Sequence, residues 1–120
     1  MNWVQWGSAM MFLAVFLGAF GSHALKAKLN EYSLDVYKTA NLYHFIHALA
    51  LFVVAWAATQ APGSKVQAAG ILFIAGILLF SGSLYLLAIT QIKIFGAITP
   101  FGGLAFLAGW AFLFLSHIKY

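Results

Sequence analysis

In this chain of 120 residues, 64% are apolar and 7% charged, with a mean hydropathy of +0.96; a water-soluble domain carries roughly 25% charged residues. A charge at a bilayer centre costs about 2.5–3.5 kcal/mol on insertion scales, so the depletion marks an integral membrane protein. The net charge of +4 comes from six lysines against Glu31 and Asp35. These lysines fall at helix ends, where they reach headgroups by snorkelling, which sets nucleic-acid binding aside; with no cysteine, disulfides, thiolate metal sites and thiol catalysis are excluded.

The first apolar stretch, Trp3 to Leu25, exceeds the ~20 residues a helix needs to cross the hydrocarbon layer. It is too long, and Met1-Asn2-Trp3 too lacking in basic residues, for a cleavable signal peptide. Trp3 and Trp6 suit an aromatic belt. Gly18-Ala19-Phe20-Gly21-Ser22 offers small residues over which a neighbouring helix can approach closely. Lys26 to Tyr43 is the one long polar region, with apolar positions at helical spacing, as in an amphipathic segment lying in the interface plane. Ser33, with Asp35 behind it, suits a helix start. A helix from there runs unbroken through the second span to the turn Ala61-Pro62-Gly63-Ser64.

Val66 to Ile89 supplies the third span. Thr90 to Phe95, carrying Lys93, is short enough to set helices three and four side by side and antiparallel. The fourth helix is expected near Thr99-Pro100, where the missing amide proton of proline is harmless in a first turn; an earlier start makes Pro100, Gly102 and Gly103 a kink instead. His117, Lys119 and Tyr120 form an exit belt. The expected fold is thus an all-α membrane protein, a single domain over 1–120. Its four transmembrane helices, over 3–25, 33–59, 66–89 and 97–118, form one bundle with an interfacial amphipathic segment between helices one and two. An even number of spans puts both termini on one face. Lys26, Lys28, Lys38 and Lys93 gather at one end against Lys65 and Lys119 at the other, which by the positive-inside rule puts the termini outside.

Chemistry concentrates at Asp35, Lys38, Asn41, His44 and His47, a polar residue at every third position. Steps of three turn a helix by about 300°, so this stripe winds around the axis. Asn41 and His44 are expected at headgroup level. His47, placed deepest, is expected to hydrogen-bond a neighbouring helix; proton relay, haem ligation or a quinone contact is its functional alternative. His23 reads as a structural residue at the end of helix one. A metal site from His23, His44 and His47 lacks carboxylate or cysteine companions. Ser81, Ser83 and Tyr85 lie at mid-span of helix three, and no acid inside a span stands ready to activate a serine. Gly18, Gly21, Gly82, Gly102, Gly103 and Gly109 read as packing surfaces.

Five phrases carry a resemblance: Gly18-Ala19-Phe20-Gly21-Ser22-His23, Phe45-Ile46-His47-Ala48-Leu49-Ala50, Phe80-Ser81-Gly82-Ser83-Leu84-Tyr85, Thr99-Pro100-Phe101-Gly102-Gly103 and Ala108-Gly109-Trp110. Together they resemble the small bacterial inner-membrane proteins of domain-of-unknown-function family 423 (uncharacterised protein family 0382), to which eukaryotic transmembrane protein 256 is related. The resemblance implies four membrane helices and no particular activity. Any shared site would be lined by His23, His47, Ser81, Ser83, Tyr85 and Thr99. Histidine at position 44 is not a feature the family is expected to need. The longer basic C-terminal tail of other members implies cytoplasmic termini, against the lysine count. The functional expectation is a non-catalytic module, with neither cofactor nor metal, that binds membrane lipids or partner membrane helices as an accessory subunit or homo-oligomer. A small oligomeric transporter or channel, or a histidine-ligated haem- or quinone-associated protein, is the alternative.

Overall fold

Asparagine caps fix where the first two helices begin. In the computed structural model, which describes residues 1–118, Asn2 Oδ1 accepts the Gln5 amide at 2.9 Å and Gln5 Oε1 accepts the Asn2 amide at 3.0 Å. This reciprocal pair satisfies amide protons that a helix start leaves free, and α1 (Trp3–Leu25) follows. Asn30 Oδ1 accepts the Ser33 amide at 2.7 Å and starts α2 (Glu31–Gln60), with the Glu31 carboxylate near the positive helix end. Ser33 is therefore the residue capped, not the cap the sequence suggested. The polar region over 26–43 is divided between a connection over 26–30 and the first turns of α2. No separate in-plane helix stands between α1 and α2 among the described residues.

After Ala61 and Pro62, Gly63 takes φ 151°, a conformation that side-chain-bearing residues rarely adopt, and α3 (Ser64–Thr90) begins. It closes on Gln91, left-handed at φ 60°, whose amide reaches the Leu87 carbonyl at 2.8 Å. The last helix, α4 (Ile94–Ser116), starts earlier than Thr99-Pro100. Pro100 therefore lies inside it and can give no amide proton to the Gly96 carbonyl one turn back. Lys119 and Tyr120 of the expected exit belt lie outside the described residues.

All four helices are long and apolar enough to cross a membrane. The molecule measures 53 × 25 × 19 Å, and its long axis exceeds the ~30 Å hydrocarbon layer. The middle helices form the centre: 39% of the most apolar stretch of α2 and of α3 is buried, against 22% for α1 and 17% for α4. Leu51, Val54, Val66 and Phe73 are fully enclosed. Phe12, Phe101, Leu107 and Phe114 point outward, as apolar side chains can where the surroundings are lipid tails.

Close crossings use glycine where lipid gives helices no hydrophobic reason to associate. A Cβ on Gly70 would enter the Trp3 ring, one on Gly76 the Phe106 ring, and one on Gly102 the backbone of Leu79 and Phe80. Two stretches open from α- to π-helical winding, Gly21–Leu25 and Ile77–Ser81; the second lies under Gly102. Gly82 and Gly103 differ from the expected packing surfaces. A Cβ on Gly82 meets nothing nearer than the Ile77 carbonyl of its own helix at 3.8 Å, and one on Gly103 only the Phe80 ring at 3.8 Å.

Candidate functional site

Polar side chains inside the bundle gather into two clusters on neighbouring faces of α2. The first joins α1, α2 and α3. Tyr37 donates its hydroxyl to the Leu17 carbonyl. Asn41 Nδ2 donates one proton to the Ala14 carbonyl at 2.9 Å and one to the Tyr85 hydroxyl at 3.0 Å. The Tyr85 oxygen lies 3.0 Å from His44 Nδ1. Asn41 can only donate through this nitrogen, so the Tyr85 oxygen accepts from it and pairs with His44 Nδ1 through its second lone pair or its own proton, according to the imidazole tautomer. His44 Nε2 is buried without a hydrogen-bond partner. His44 is 2% exposed, enclosed between helices, and Asn41 is half-buried one turn before it. The helical phase of α2 turns both toward α1 and α3.

The second cluster joins α2 to α4. His47 Nδ1 lies 2.8 Å from the Tyr43 carbonyl, one turn back, and Trp110 donates its indole proton to His47 Nε2 at 3.0 Å. A carbonyl can only accept and an indole N–H only donate, so His47 is neutral with its proton on Nδ1, and both nitrogens are in use. Phe106 stacks on the imidazole with ring centroids 3.5 Å apart. His47 thus takes the interhelical bonding role read from sequence, and its partner, Trp110, is the residue that reading missed.

Of the six residues expected to share a site, no single group forms. Ser83 donates to the Phe80 carbonyl at 2.9 Å and lies 2.6 Å from the Thr99 hydroxyl, linking α3 to α4. Ser81 is fully buried with no partner for its hydroxyl. Tyr85 belongs to the first cluster and His47 to the second. His23 is exposed on the widened end of α1. Among the described residues no group of three or more potential metal ligands forms. Glu31 and Asp35 are exposed at the start of α2, so no carboxylate reaches the buried hydroxyls.

A cleft of about 260 Å³ opens between the end of α1 and the start of α2, lined by Gly18, Gly21, Ser22, Lys26, Leu34, Tyr37, Lys38 and Asn41. Its depth comes from absent side chains: a Cβ on Gly18 would lie 2.8 Å from Asn41 Oδ1, and one on Gly21 would strike the Tyr37 ring. Exposed Lys26 and Lys38 sit at its polar end. The sequence signals for this cleft are the small residues of α1 and the basic positions Lys26 and Lys38, which taken separately point to packing and to snorkelling.

Comparison with known proteins adds a family and no activity. Residues 17–103 match the family model described as "Protein of unknown function (DUF423)". The chain is 50% identical over 115 residues to the UPF0382 membrane protein YwdK of Bacillus subtilis strain 168, covering 95% of this chain and 94% of that protein. It is 42% identical over 114 residues to a UPF0382 membrane protein of Staphylococcus aureus strain USA300, covering 95% and 93%. No solved structure matches the chain.

Proposed function

Because the chain belongs to the DUF423 (UPF0382) family of membrane proteins of unknown function, we propose on physical grounds that it is a non-catalytic lipid-binding module of the bacterial inner membrane. The observation that carries this is the cleft between α1 and α2, which begins among lysines and runs into the apolar body beside Gly18 and Asn41. A volume of about 260 Å³ is far more than the ~10–15 Å³ that one water occupies, and somewhat less than the ~300–1,000 Å³ of drug-sized pockets. It suits part of a lipid entering sideways, with the remainder left in the bilayer. The other interior polar groups are largely spent on joining helices: Asn41 and Tyr85 to α1 and α2, His47 to α4, Ser83 to Thr99. That is a packing use of polarity, and neither Ser81 nor Ser83 has a histidine or carboxylate among its hydrogen-bond partners.

One observation favours a second reading, a small oligomeric channel or transporter: His44 Nε2 and Ser81 Oγ are buried without partners, and unpaired polar atoms at membrane depth are typical of pathways. The haem reading gains less, since a metal at His47 would have to displace the Trp110 or Tyr43 bond. The deciding experiment is native mass spectrometry of protein purified in mild detergent. Wild type should retain lipid. Ser22→Trp, which fills the cleft from an exposed position, should lose it while keeping the wild-type melting temperature. Equal retention by both would remove the cleft from the function.

A further inference from the structure

We infer that the α1–α2 cleft holds the phosphate of an anionic glycerophospholipid, with Lys26 and Lys38 as its counter-charges. This rests on the lipid-binding reading and specifies the headgroup. The lining contains two lysines and no carboxylate, so a negative charge entering the cleft meets only positive side chains there. The side-chain donors deeper in are already committed. Tyr37 gives its proton to the Leu17 carbonyl, both Asn41 amide protons are used, and Asn41 Oδ1 is held against Gly18. The ammonium groups and the Ser22 hydroxyl, all able to donate, remain for a ligand. Such a set of donors matches phosphate oxygens, and its two ammonium groups repel a cationic headgroup.

Geometry favours a lipid over a soluble anion. Lys26 follows the last turn of α1, and Lys38 lies one turn of α2 nearer the polar end than Asn41. The cleft therefore presents its cations at the level where lysine side chains meet headgroups, and its apolar wall, Gly18, Gly21 and Leu34, alongside. At about 260 Å³ it accommodates a phosphate and the glycerol behind it, and leaves acyl chains outside among the exposed apolar side chains.

The test uses full-length delipidated protein in detergent, offered equimolar phosphatidylglycerol and phosphatidylcholine of matched chains, with bound species counted by native mass spectrometry. Wild type should prefer phosphatidylglycerol. Lys26→Gln and Lys38→Gln should each reduce the preference about fivefold, the expected worth of one lysine near an anionic headgroup, and the double variant should abolish it. Lys28→Gln, on the same end but outside the cleft lining, and Lys65→Gln, at the other end, should leave it intact. A loss in Lys28→Gln equal to that in Lys26→Gln would replace the site with diffuse surface charge and overturn the inference. Displacement of phosphatidylglycerol by millimolar inorganic phosphate would overturn the lipid assignment in favour of a soluble anion. If wild type retains both lipids without preference, the headgroup assignment falls and the lipid-binding reading stands; if it retains neither, both fall.

Discussion

At Gly21–Leu25 the widened winding ends a helix and borders an open cleft; at Ile77–Ser81 the same winding sits mid-helix under the backbone of α4. The difference lies in what each glycine faces. Gly102 sits on main-chain atoms of Leu79 and Phe80, while Gly21 sits on the ring of Tyr37. Main chain cannot rotate away, so the inner site is locked shut by its neighbour and carries packing. A ring covers only its own area, so the outer site is left partly open beside exposed Ser22 and His23. One backbone distortion thus serves closure in the core and access at the edge.

Substitutions should separate the two. Gly102→Leu should be the most damaging, about 3 kcal/mol or more, because overpacking against backbone has no side-chain escape. Gly82→Leu, whose Cβ would meet only the Ile77 carbonyl at 3.8 Å, serves as its control, and equal melting temperatures in detergent would falsify the locked-core description. Gly21→Leu comes next at about 1–3 kcal/mol: the Tyr37 ring can shift, but only by giving up its bond to Leu17. Circular dichroism should show the bundle retained, with lipid binding lowered.

His47→Leu ranks third, at about 0.6–2 kcal/mol for an interhelical polar contact in a membrane. His47→Gln should recover most of it, since an amide both donates and accepts. Metal and haem content of wild type and both variants is the companion measurement, and one bound metal that vanishes in His47→Gln would reverse the structural assignment. The smallest effect is expected at Ser81→Ala, within about 0.5 kcal/mol of zero or stabilising. Removing an unpaired buried hydroxyl forfeits no bond. A loss above about 1 kcal/mol in thermal unfolding would reveal a partner for that oxygen.

Much of the fold is legible in the sequence because charge is nearly absent from long stretches, and no soluble arrangement accommodates that. Helix starts were harder. Asn2 and Asn30 act as caps, yet Ser33 beside Asp35 looks equally suitable until the backbone places it one turn inside. The enclosure of His44 between helices follows from the phase of α2, which spacing within one helix shows only relative to its neighbours' positions. The Trp110–His47 bond crosses from α4 to α2, and nothing local to either residue announces it. Neither π-helical stretch has a composition that distinguishes it from ordinary helix.

Trp3 fills the space over Gly70 and gives its indole proton to Gln67 Oε1 at 3.1 Å, across 64 positions of sequence. Most other helix contacts join sequence neighbours, which can pair as soon as the second member is made. This one cannot form before α3 exists. Gly7 can seat on the Phe52 ring of α2 earlier, whereas the Trp3 ring closes a longer loop, whose entropy cost is met only once α3 is present. Tryptophan fluorescence at position 3, with the other three indoles replaced by phenylalanine, would time the moment at which the amino-terminal helix latches.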